Sequence, residues 1–217
     1  MKKLISVLGA SFIWIALIAP ANSGPVGIGV TLQTGKYGTS GTETEKTVTS
    51  VTSEQTSKTV EEAFMGASVY AEFRTDNGWA LGVDYVPMNI DLGSGKRTDA
   101  STGADSTAEA DTGDRSASAE IDGLTTIYAH IPIGPLYVLL GYHSADVTTT
   151  ETLPTSSYPN ASINGFQYGI GMKSDNQRVR AEIAYSDFDN ITLTSSANTN
   201  KITASADAVS FKLSIGF

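Results

Sequence analysis

"AVSFKLSIGF", residues 208–217, ends the chain in strict alternation. Val209, Phe211, Leu213, Ile215 and Phe217 fall on one side, while Ala208, Ser210, Lys212, Ser214 and Gly216 fall on the other. Successive side chains of a strand point to opposite faces, so the stretch reads as a β-strand with one apolar face. Chain ends are usually polar and frayed. Here the apolar stripe runs to a terminal aromatic, and the environment that stripe is built for decides the fold.

The same period recurs seven more times, with no convincing helical stretch. The segments are 26–33, 65–74, 79–86, 121–131, 136–143, 164–173 and 178–186. "VGIGVTLQ" (26–33) sets Val26, Ile28, Val30 and Leu32 against Gly27, Gly29, Thr31 and Gln33. "RVRAEIAYS" (178–186) sets Val179, Ala181, Ile183 and Tyr185 against Arg178, Arg180 and Glu182. With the closing decapeptide this predicts eight strands, each near the length of a tilted membrane strand.

The connections are unequal and alternate. Thr75–Gly78, Pro132–Pro135 and Ser174–Gln177 are tight, with the Asn, Gly and Pro chemistry of hairpin turns. Residues 34–64, 87–120, 144–163 and 187–205 form long polar connections rich in Thr, Ser, Asp and Glu. The first and last of these keep enough β-favouring residues to continue as hairpins, whereas 94–120 is low in complexity and reads as mobile. Long loops and short turns therefore fall at opposite ends of the sheet.

At the other end of the chain, "MKKLISVLGASFIWIALIAPANSG" has two lysines, an apolar run over 4–19 and an Ala19-Pro20-Ala21 cleavage pattern. It reads as a secretory signal peptide, residues 1–21, followed by one domain over 22–217. The apolar run is shorter than the ~20 residues of a spanning helix. Loss of Lys2 and Lys3 takes the formal charge from −9 to −11. That acidity argues against nucleic acid and against a basic lipid-binding patch. With no cysteine, stability must come from packing and backbone hydrogen bonds.

Two classes remain: a soluble β-domain with apolar faces inward, or a membrane barrel with them outward. Three features favour the second. The polar faces carry glycines, small residues and charges of both signs, which suits a crowded interior. Aromatics gather near strand ends, with Phe73, Trp79 and Phe217 toward the short turns and Tyr85, Tyr142, Phe166 and Tyr185 toward the long loops. Two such girdles and the loop asymmetry belong to outer-membrane barrels. The expected fold is all-β: an eight-stranded antiparallel up-and-down transmembrane β-barrel with long extracellular loops and short periplasmic turns.

On these residues the chain resembles the small outer-membrane barrels of the OmpA/OmpX kind, without the periplasmic peptidoglycan-binding domain of two-domain relatives. The resemblance implies a Gram-negative outer-membrane location among lipid and lipopolysaccharide, and a monomer. It also implies that Val209, Phe211, Leu213, Ile215 and Phe217 form the terminal-strand signal read by the barrel-assembly machinery.

An eight-stranded barrel is about filled by its own side chains. The inward charges are expected to be Glu72, Arg74, Asp84, Lys173, Arg178, Arg180, Glu182 and Lys212, paired into a plug because unpaired buried charge is costly. Catalysis is not expected. Only His130 and His143 exist, and His143 and Ser144 in "HSAD" should point to opposite faces. Asp105, Asp111 and Asp114 miss the spacing of a calcium loop, so neither metal nor cofactor is expected. The expected role is a non-enzymatic envelope-structural and surface-interaction protein. A narrow porin-like channel and a loop-mediated adhesin are the alternatives.

Overall fold

The computed structural model describes residues 26–45, 54–100, 112–152, 157–174, 176–196 and 200–217. The leader lies outside them, as does all of 101–111. Nine antiparallel strands make one sheet: β1 (Val26–Glu45), β2 (Glu54–Arg74), β3 (Ala80–Tyr85), β4 (Ile90–Ala100), β5 (Thr112–Ile133), β6 (Leu136–Glu151), β7 (Ala161–Lys173), β8 (Val179–Thr194) and β9 (Asn200–Gly216). Among the described residues no helix is long and apolar enough to cross a membrane, which says nothing about strands.

The ladders return to their start. β1 pairs with β2 and with β9, β2 with β3, β3 with β5, and β5 through β9 pair in succession. The result is a ring of hydrogen bonds. The ninth strand arises from a break rather than an extra hairpin. β3 pairs with Thr125–His130 of β5, and β4 pairs farther along the same strand, with Thr112–Ile121. Both run the same way, so β4 resumes β3 after Val86-Pro87-Met88-Asn89. Pro87 has no N–H to give a ladder, which is why the strand stops there.

The break has a second effect. β2 meets β3 only over Val69–Arg74, and its remaining length, Glu54–Ser68, has a ladder to β1 alone. β4 has a ladder to β5 alone. Among the described residues the wall between β2 and β4 is held by side chains instead. From β2, Lys58 Nζ donates to the Ser94 carbonyl at 2.5 Å, and from the neighbouring β1, Thr39 Oγ1 donates to that of Leu92 at 3.3 Å. A seam thus runs up one side of the ring from Tyr85 toward the long-loop end.

The strands are longer than the alternating segments suggested. β1 and β2 stay in register to Glu45↔Glu54, and β4 with β5 occupies much of the stretch read as mobile. The short connections match their turn chemistry. Gly78 has φ +90° and Gly134 φ +61°, and Thr75 N–H donates to the Trp79 carbonyl at 2.9 Å.

Burial shows what the alternation is for. Toward the short turns the apolar face is outside: Leu32 is 63%, Met65 84% and Phe217 64% exposed. The polar face is inside, with Thr31, Ser68, Glu72, Arg180 and Ser214 buried. Toward the long loops the polarity reverses without a change of parity on β6 and β9. On β6 the outer face passes from Leu140 and Tyr142 to Ser144 and Asp146, while the inner face passes from His143 to buried Ala145 and Val147. On β9 it passes outside from Phe211 and Val209 to Asp207, and inside from Lys212 and Ser210 to buried Ala206. Ile121, Ala145, Val147, Ile163, Phe188 and Ala206 then form one buried apolar cluster. The ring is inside-out at one end and conventionally packed at the other.

Candidate functional site in the ring interior

The lower interior is built around Arg180, projected inward from β8. Its Nη1 donates to Glu72 Oε2 at 2.5 Å and to Tyr128 Oη at 3.3 Å, and its Nε lies 3.2 Å from Glu182 Oε1. The guanidinium sits 3.9 Å from the centroid of the Tyr70 ring, a cation–π position. Glu72 also accepts from Arg74 Nε at 2.5 Å and from Tyr128 Oη at 2.6 Å. Glu182 accepts from Tyr137 Oη at 2.7 Å and lies 3.3 Å from His130 Nε2. His130 is fully buried between the Tyr128 and Tyr137 rings. Lys173 Nζ lies 4.9 Å over the Tyr137 ring.

Small residues make room for these rings. The Tyr128 hydroxyl end lies against Gly82 of β3, and a Cβ built there would stand 2.5 Å from Tyr128 Cζ. Gly82→Ala is therefore expected to cost about 1–3 kcal/mol by overpacking, measured as the shift of the urea unfolding midpoint. No shift would mean that the ring has another place to go.

One layer toward the long loops, Asp84 accepts from Ser68 Oγ at 2.8 Å and Thr31 Oγ1 bonds Ser214 Oγ at 2.8 Å. A chain of hydrogen bonds crosses five strands. Lys212 Nζ donates to Gln167 Oε1 at 3.1 Å, and Gln167 Nε2 donates to Ser186 Oγ at 3.1 Å. Ser186 Oγ and Thr126 Oγ1 then hold the two nitrogens of His143, at 2.9 and 2.7 Å.

Of the charges assigned to the interior, Glu72, Arg74, Arg180 and Glu182 share one cluster, with Lys173 at its edge. Asp84 and Lys212 occupy the layer above. Arg178 is a correction: it is exposed, in the turn before β8 where Asn176 Oδ1 accepts from its backbone N–H at 3.1 Å. The strand starts one residue later, so alternation does not govern Arg178.

No protein-family model and no curated protein matches the chain. Among solved structures it is similar to Neisserial surface protein A, at 12% identity over 87% of this chain and 97% of that one, with a TM-score of 0.42. It is similar to the outer membrane protease OmpT of Escherichia coli, at 8% identity over 89% and 97% of the two chains, TM-score 0.48. For the outer membrane protein OprG of Pseudomonas aeruginosa the values are 13%, 87%, 96% and 0.41. These are low-identity likenesses to outer-membrane β-proteins.

Among the described residues, the pairing that resembles catalytic machinery is His143 with Ser186. Sequence neighbours kept His143 and Ser144 apart, and the structure does too, since His143 is buried inside while Ser144 lies on the outer face. Ser186 comes from another strand, 43 positions away. Its only advance signal is inward parity on β8. The group opposite it on the imidazole is a threonine hydroxyl, where a Ser-His triad has a carboxylate to stabilise the imidazolium. The backbone around Gln167 and Ser186 is in ladder register, which leaves no loop amides aimed at an oxyanion. The geometry is that of a cross-link. Among the described residues no three His, Asp or Glu side chains are placed to hold a metal; Asp105 and Asp111 lie outside them.

Proposed function

We propose that the chain is an integral outer-membrane barrel protein with a closed interior. In this reading residues 1–21 are a cleaved signal and 22–217 an eight-stranded up-and-down barrel, with β3 and β4 acting as one interrupted strand. The observation that carries it is the reversal of burial polarity along the strands. An apolar exterior over a charged interior is stable only where water is excluded outside. The reversed part beyond it belongs in water. Eight strand steps, as from Met65 to Phe73, at ~3.3 Å per residue and ~40° tilt give a band about 20 Å tall.

Within this reading Val209, Phe211, Leu213, Ile215 and Phe217 face lipid, and the same residues serve as the terminal-strand assembly signal. Phe73, Trp79 and Phe217 line the periplasmic rim; Tyr85, Tyr142, Phe166 and Tyr185 line the outer one, beside lipopolysaccharide. The role is structural and surface-displaying, with the strand extensions as a platform outside the membrane.

A closed interior is favoured over a porin-like path by Arg180, whose guanidinium reaches from β8 to Glu72 and Tyr70 on β2 and to Tyr128 on β5. Two measurements test the proposal. Unboiled protein from outer membranes should migrate differently from boiled protein on a gel, and planar bilayers containing it should show no unit conductance. A freely soluble protein with no band shift overturns the barrel, and stable openings overturn the closed interior.

A further inference from the structure

Where the polar interior meets the apolar cluster there is a cavity of about 50 Å³, counted as space open to the centres of water-sized molecules. One water needs roughly 10–15 Å³ on that scale and a benzene-binding cavity has about 150 Å³, so the space suits a body of about three to five heavy atoms, the size of a small alcohol. Its walls are apolar: Phe64, Val86, Leu92, Ile121, Leu124 and Phe188 all face it. Its floor is polar, with Asp84, His143, Gln167 and Lys212.

We propose that this cavity binds a small amphiphile with an apolar body and an uncharged hydrogen-bonding head, entering between β2 and β4. Three observations support it. The floor carries one cation and one anion, Lys212 and Asp84, whose formal charges cancel, so a charged head would shed its water on entry without a net attraction in return. A hydroxyl can instead donate to one group and accept from the other. Lys212 is 8% exposed and its hydrogen bond goes to a neutral amide oxygen, so its remaining N–H groups can serve a ligand oxygen. Lastly, Phe64 of β2 and Leu92 of β4 flank the unladdered seam, with Val86 in the break at its foot, which places the mouth where no backbone hydrogen bond has to break.

The entry route rests on the membrane reading; the cavity and its chemistry do not. The test uses the full chain folded into lipid nanodiscs, with the gel shift verifying the fold first. Binding of 3-fluoropropan-1-ol is followed by ¹⁹F NMR against empty discs, alongside 1-fluoropropane, 3-fluoropropanoate and 3-fluoropropylamine. The alcohol should bind saturably and about ten-fold tighter than the other three, because buried polar groups are left unpaired by a ligand lacking the hydroxyl. Lys212→Met should reduce its advantage over 1-fluoropropane to under about two-fold. Leu124→Trp should abolish saturable binding by filling the cavity, with Phe64→Trp as a milder filler should the first not fold. Partitioning equal to empty discs, tighter binding of either charged probe, or binding untouched by a folded filler overturns the proposal.

Discussion

Replacing Arg180 with methionine is expected to destabilise the folded protein by about 3–5 kcal/mol, the range found when one partner of a buried ion pair is removed. The methionine keeps most of the side-chain length, so the loss is of charge rather than volume. Glu72 retains Arg74 and Tyr128, and Glu182 retains Tyr137, but each loses the cation they share. Two carboxylates would then remain in an interior from which water is largely displaced. The measurement is the urea midpoint and slope, followed by Trp79 fluorescence. Adding Glu72→Gln to the variant should recover part of the loss, because it removes one of the stranded anions. A loss below about 1 kcal/mol would show the cluster to be solvated, as exposed ion pairs are.

The second large effect compares one substitution at two places on one face of one strand. Ile183 and Asp187 both point outward from β8, and both are exposed. Ile183→Arg should cost about 2–4 kcal/mol, the value for arginine facing lipid near the bilayer midplane. Asp187→Arg should cost about 0–1 kcal/mol, the value near the interface. Unfolding midpoints of the two variants in the same lipid decide it. Equal costs would mean that no boundary passes between Tyr185 and Asp187.

The lower ring was readable because each strand there carries a run of four or more alternating apolar residues. Pro87 was also visible, though its consequence, a break that leaves β4 beside β2 without a ladder, needed the partners. The upper strands were harder. "KYGTSGTETE" has no apolar face, and Thr-rich sequence signals β-propensity without saying where a strand ends. The reversal of polarity left a trace that single-face counting passes over. In "LLGYHSADV" the apolar residues move from even positions, Leu140 and Tyr142, to odd ones, Ala145 and Val147. Parity alone put Glu72, Asp84, Arg180, Glu182 and Lys212 on the polar side. It could not pair them, because their partners come from strands up to about a hundred positions away.

The ladder between β1 and β9 sets the order in which the molecule can be made. Gly29 pairs with Gly216, and the Phe217 N–H donates to the Ile28 carbonyl at 2.8 Å. Every other ladder joins strands that follow closely along the chain, so hairpins can form early from local encounters. This one must wait for the chain to meet itself across nearly its whole described length, at a closure entropy of about 4–5 kcal/mol. Until then β1 and β9 each present a bare edge able to recruit a foreign strand. The vulnerable species is thus a nearly finished, unclosed sheet, and its lifetime governs how much of the protein is lost to aggregation.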